Sequence, residues 1–280
     1  MSTNFKQESR EIKLDLRSKK LRNLVLDALS GGGRGHLGPA FSLIEIVRVL
    51  YDSVLIQDPK NPDLANRDRF ILSKGHGCLG LYAVLSDFGY FPKEKLNNFC
   101  GFESILGGHP ESTTIPGVEF STGSLGHGLP FAVGTAMAAR LRKEHWRTYV
   151  LVGDGELNEG SIWESAMHAN QHKLGALTVI VDFNGLQASG PIDSVVTLAP
   201  LTKKWESFGF KVYEVNGHDI QALEKVLVMP FNDIGQPIAI LAHTVKGKGL
   251  ISAENSNDWH HKAKIAVEEI EAFREELEQR

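Results

Sequence analysis

Apolar and polar positions recur along this chain with more than one period, and the change of period divides it. Between residues 8 and 29, Ile12, Leu16, Leu21, Leu24, Val25 and Leu29 recur among charged residues at helical spacing, and the run stops at Gly31-Gly32-Gly33. The pattern predicts one amphipathic helix. A second helix is predicted over residues 42–52, followed by an acidic, proline-containing loop over 58–68. "RFILSKGHG" then reads as a short strand or as the entry to a helix running through Leu85. From Thr148 the text becomes regular. "TYVLVGDG", "LTVIVDFN", "KVYEVNG" and "PIAILAHTV" predict strands, with helices over 159–172 and 219–228, and "KIAVEEIEAFREELEQ" closes the chain as an amphipathic helix. Near-continuous β-branched runs mean strands buried on both faces. The prediction is therefore an α/β fold, a parallel sheet flanked by helices. No internal repeat or low-complexity linker interrupts the text, so residues 1–280 read as one domain.

Composition narrows the function classes. The 280 residues are 42% hydrophobic and 23% charged, enough chain to bury one large core. A net charge of −4 argues against a nucleic-acid or anionic-membrane surface. The two cysteines, Cys78 and Cys100, have no metal-like spacing, so a disulfide framework is not expected and a reducing compartment is. No apolar run approaches the roughly 20 residues that span a bilayer. The polar N-terminal stretch lacks a signal-peptide core, which makes the cytoplasm the expected location. Of the 28 glycines, many lie beside His or Asp, which draws attention to those loops.

In open α/β sheets, ligands bind beyond the carboxyl ends of the strands. Asp154 ends one predicted strand and Asn184 ends the next, 30 residues later, a spacing of one β-α-β unit that lets the two side chains converge. A carboxylate oxygen, an amide oxygen and a nearby carbonyl would form a hard-oxygen set suited to Mg²⁺ or Ca²⁺ completed by phosphate and water. Gly153 and Gly155 allow close backbone approach, and the following helix start offers N–H groups to an anion. On these two residues alone, a helix cap at Asp154 and an Asn-Gly turn at Asn184 explain the pattern equally well. A dinucleotide fingerprint does not: Gly153 and Gly155 are followed by Gly160, two residues too late for G-x-G-x-x-G.

"GDGELNEGSIWESAMHANQHKLGALTVIVDFNG" resembles the GDG…N thiamine diphosphate motif in its transketolase form. The resemblance implies that Asp154, Asn184 and the backbone carbonyl of Leu186 hold a divalent ion, Mg²⁺ with Ca²⁺ or Mn²⁺ as substitutes, on the cofactor's diphosphate. Many such motifs end in Asn-Asn, whereas this chain has Phe183-Asn184, with the liganding residue intact. "GRGHLG", "SKGHG", "LGGHPE" and "GSLGHG" each carry His beside Gly and match transketolase stretches in the same order. By resemblance, His36 contacts the donor sugar, His76 lies by the diphosphate, and His109 faces the reacting carbonyl. Gly123 and Leu125 in "STGSLGHG" touch the aminopyrimidine. His127 stands where the family often has Gln and receives no catalytic role. His260 in "DWHHKA" resembles a family histidine that works with His36, although His261 replaces the usual Gly. Such imidazoles, near an unperturbed pKa of about 6.5, would pass protons at neutral pH.

The resemblance runs from Leu21 to about Ala263 but covers only the first part of a full-length transketolase. It implies a PP-type thiamine diphosphate-binding domain whose pyrimidine-binding and C-terminal domains are on a separate chain. That partner would bring the activating glutamate and most contacts to the sugar phosphate, in an α2β2 assembly. Glu159 and Glu164 would lie at the interface between chains, or serve only as solvent-facing charges. The expected activity is transfer of a two-carbon ketol unit from a ketose phosphate to an aldose phosphate, with pentose-phosphate chemistry first and branched or sulfonated sugars as the alternative. An α subunit of a 2-oxo acid dehydrogenase shares the GDG…N element but should lack the histidine series. A non-catalytic cofactor-binding module and a structural or interaction protein with no cofactor are the remaining readings.

Overall fold

A computed structural model describes residues 4–229 and 235–279. Its main sheet has five parallel strands in the order β1-β2-β3-β7-β6. They are β1 (Arg69–Leu72), β2 (Thr148–Gly153), β3 (Leu177–Phe183), β6 (Lys211–Asn216) and β7 (Ile238–His243). A two-residue-per-strand hairpin, β4 (Leu186–Gln187) and β5 (Gly190–Pro191), follows β3. Alternate side chains enter two cores. Phe70, Leu72, Tyr149, Leu151, Ile180 and Ile240 point to one face, and Ile71, Val150, Val152, Val179, Val181 and Leu241 to the other. This is the burial on both faces that continuous apolar strands require. The edge strand β6 departs from it: Lys211 and Glu214 are exposed, because no strand covers that side.

The first face is covered mainly by α2 (Leu16–Gly32), α3 (Leu37–Ser42), α4 (Ile44–Val49), α5 (Cys78–Phe88), α10 (Ile220–Leu227) and α11 (Val267–Gln279). The second is covered by α6 (Gly128–Arg142), α7 (Gly160–Gln171) and α9 (Leu201–Ser207). Two short helices, α1 (Phe5–Glu11) and α8 (Ile192–Val195), complete the set.

Local chemistry moves several predicted boundaries. The single helix expected over 8–29 is two, α1 and α2, because the Asp15 carboxylate accepts from Ser18 N at 2.8 Å and starts a new helix. α2 ends at Gly33, whose φ of 60° is left-handed. The helix expected at Ser42 begins earlier, at Leu37, bends at Leu43 and continues as a π-helical turn over Leu50–Val54. α6 and α9 were not expected. Among the described residues no helix is long and apolar enough to cross a membrane.

Candidate functional site

β2 and β3 are adjacent and parallel, with Gly153 in register with Asp182, so the residues that follow them emerge side by side at the carboxyl edge. Asp154 is 2% exposed. Its carboxylate accepts from Gly155 N at 2.8 Å and, across the strand gap, from Gly185 N at 2.6 Å. Among the described residues it takes only these backbone donors. Burial, reinforced by the neighbouring Asp182 charge, pushes its carboxyl up to about 7. Asn184 is also buried; its Oδ1 accepts from Leu186 N at 3.0 Å, while its Nδ2 faces Asp182 Oδ1 at 3.4 Å. The cap and turn readings therefore describe real local bonds, yet both side chains also line one cavity of about 320 Å³.

Behind Asn184 lies a buried polar cluster. Asp182 accepts from Ser42 Oγ at 2.6 Å and also from Lys74 Nζ and Thr244 Oγ1. Burial raises the Asp182 carboxyl, but the Lys74 charge and the hydrogen bonds from Lys74, Ser42 and Thr244 together outweigh it and hold the group below its ordinary value. Glu156 is equally buried: Oε1 accepts from Ser73 Oγ and from Gly126 N at 2.9 Å, and Oε2 accepts from Gly153 N at 3.1 Å. It thus ties the loop carrying Gly123 and Leu125 to the end of β2. Gly123 has φ of +152°, and a Cβ there would lie 3.2 Å from the His109 ring. A Cβ on Gly155 would meet Gln187 Cβ at 2.8 Å. Both positions require the absence of a side chain.

The histidines converge. The His36 ring lies 5.6 Å from His76, 6.1 Å from His109, 5.6 Å from His260 and 4.5 Å from His261. His76, His109 and His260 line the cavity with Gly123, Leu125, Gly153, Gly155 and Leu186, and His36 adjoins them. Of the adjacent pair, His260 lines the cavity and His261 is exposed, its ring tilted against that of His36. The expectation of unperturbed imidazoles is corrected: burial, then the neighbouring imidazoles and Lys74, lower His36 to about 3. Burial, then Lys246 and Lys74, lower His260 to about 4. His76 and His109 are also depressed, burial first. These rings are neutral hydrogen-bonding groups at pH 7. His127 is exposed, with Nδ1 3.0 Å from Leu125 O, and Glu159 and Glu164 are exposed at the start of α7.

Sequence reading missed Lys74, Glu156, Asp182, Gln187 and Lys246. An acid inside the apolar run "LTVIVDFN" was a visible signal; Lys74 and Glu156 sat inside quoted motifs. A fit test for a metal and diphosphate comes from the wall itself. Among the described residues, Gln187 Nε2 and His260 Nδ1 are buried without a hydrogen-bond partner, and Lys246 Nζ reaches only Gln187 O at 3.5 Å. Unpartnered N–H capacity beside a hard-oxygen pair suits an anion held with a divalent cation.

Over residues 15–279 the chain matches the family described as transketolase, thiamine diphosphate binding domain. The chain belongs to the transketolase family. It is 43% identical over 266 residues to a protein of Actinobacillus succinogenes named as one of the subunits of apulose-4-phosphate transketolase, covering 94% of this chain and 95% of that protein. It is 36% identical over 268 residues to the 6-deoxy-6-sulfo-D-fructose transketolase subunit SqwG of a Clostridium species, covering 96% of this chain and 97% of that one. Transketolase of Campylobacter jejuni superposes with a TM-score of 0.84 at 32% identity, over 95% of this chain but 43% of that enzyme's chain. The chain therefore spans less than half of the solved transketolase it matches. The α/β fold with its parallel sheet is the one shared with these transketolases.

Proposed function

We propose that this chain is the diphosphate-binding subunit of a two-chain transketolase. The observation that carries the reading is the convergence of Asp154 and Asn184, from neighbouring strands, on one cavity with His76, His109 and His260. Asp154, Asn184 and the Leu186 carbonyl would hold Mg²⁺, with Ca²⁺ or Mn²⁺ as substitutes. Gly153, Gly155 and His76 would face the diphosphate, and Gly123 and Leu125 the aminopyrimidine. Bound thiamine diphosphate supplies a thiazolium, the electron sink for cleaving a carbon–carbon bond. The chain's own work is placement and proton handling. As neutral imidazoles, His36, His109 and His260 accept hydrogen bonds from sugar hydroxyls, and one of them can take a hydroxyl proton as the bond breaks.

A second polypeptide carrying the activating glutamate completes the site in this reading, in an α2β2 assembly in the cytoplasm, with the pyrimidine-binding and C-terminal domains on that partner. Support comes from relatives of matching length that are named as subunits. Their names also favour a branched sugar phosphate or a sulfonated sugar over general pentose-phosphate chemistry. Reconstituting the chain with its partner and assaying a panel of ketose donors tests both statements. Robust ketol transfer by this chain alone refutes the first, and equal turnover of all donors refutes the second.

A further inference from the structure

A buried ionic relay lies outside the cavity. Arg22, Glu45 and His218 are each at most 2% exposed and come from α2, α4 and the turn after β6. Arg22 grips Glu45 with two bonds, of 2.6 and 2.9 Å. His218 Nδ1 lies 2.8 Å from Glu45 Oε2, and Val245 N donates to His218 Nε2 at 2.9 Å. The second bond fixes the tautomer: Nε2 accepts, so Nδ1 carries the proton and donates to Glu45. Burial, only partly offset by Glu45, holds this imidazole below its ordinary value, consistent with a neutral ring.

The relay ends on backbone at both sides of one cavity residue. His218 takes Val245 N–H, and Arg22 Nε donates to Lys248 O at 2.8 Å. Between these anchors, Gly247 N donates to Gly38 O at 3.1 Å, and Lys246 enters the cavity wall. Of the two cavity lysines, Lys74 is neutralised by Asp182, whereas Lys246 forms no ion pair among the described residues. We propose that His218 is a positioning residue: through the Arg22–Glu45 pair and Val245 it fixes the segment that presents the Lys246 ammonium to the anionic ligand of the cavity. The proposal rests on the diphosphate reading of the site, and its test separates the two.

The first readout needs no cofactor. Hydrogen exchange of the full chain is compared for wild type and H218F, which keeps a ring but removes both bonds. Exchange should rise over residues 244–250 while the β2 and β3 amides stay protected. The second readout is titration with thiamine diphosphate and Mg²⁺ for wild type, H218F, K246M and the double variant. H218F should weaken binding about tenfold, as loss of an orienting partner does. Against K246M, it should add nothing. Where H218F fails to fold, H218N, which can keep the Glu45 bond but not reach Val245, is read by the same criteria. Unchanged exchange over 244–250, or losses that multiply in the double variant, overturns the relay. Absence of binding by the wild type sinks the cofactor reading instead, and exchange alone then decides the relay.

Discussion

Glu156→Gln tests how the loop over the cavity is held. The substitution keeps shape and removes charge. Each carboxylate oxygen faces a backbone donor: Gly126 N at 2.9 Å from one and Gly153 N at 3.1 Å from the other. Wherever the new amide nitrogen points, it meets an N–H, and one buried backbone donor loses its acceptor. Stranding such a group costs about 1–3 kcal/mol. For a chain of this size that is a fall in Tm of roughly 2 to 5 °C. Because Gly126 lies in the loop that carries Gly123 and Leu125, the loss should be local before it is global. Differential scanning calorimetry reads the first effect, and hydrogen exchange over residues 121–127 reads the second. An unchanged Tm together with unchanged exchange in that loop would refute the bonding scheme.

Lys74→Met leaves Asp182 charged and fully buried, and should cost about 3–5 kcal/mol in urea unfolding; a loss under about 1 kcal/mol would show that the pair is not a structural element. His36, His76, His109, His218 and His260 all have depressed pKa values in the fold. The unfolded chain therefore binds protons near pH 6.5 that the native state refuses, and stability should be full above about pH 7 and fall below about 6.5. Asp154, pushed up to about 7, and Glu119 and Glu156, also raised by burial, oppose them, but three carboxyls are outweighed by five imidazoles. A pH series of unfolding midpoints that rises on acidification would contradict this. His260→Ala, assayed with the partner chain, should lose most ketol transfer, and wild-type turnover would remove His260 from the chemistry.

The strands were legible because each is an unbroken apolar run, and their carboxyl ends delivered Asp154 and Asn184 together. Burial on both faces makes such runs unmistakable, except at the edge, where Lys211 and Glu214 dilute the pattern of β6. α6 escaped notice because "GLPFAVGTAMAARLR" spreads small residues around the helix and shows no apolar stripe. The break before α2 depends on one capping aspartate, a signal too short to override a continuous helical period. At the site, histidines in glycine-rich loops were conspicuous, whereas Lys74, Asp182 and Lys246 read as ordinary charges. Their role follows from burial and from partners up to 140 residues away in sequence, which no local pattern contains. The depressed imidazoles belong to the same class: a pKa set by a cluster is invisible until the cluster is assembled.

In the proposed reading Asp154 and Asn184 together hold a divalent cation on a diphosphate. Isothermal titration of the chain with thiamine diphosphate and Mg²⁺, repeated with excess EDTA and with D154N, addresses it directly. The expected result is one saturable site per chain that disappears in EDTA and weakens at least about 100-fold in D154N, since even outer partners of a metal site cost about 10–100-fold. Binding of equal strength with EDTA present, or in the D154N chain, would contradict it.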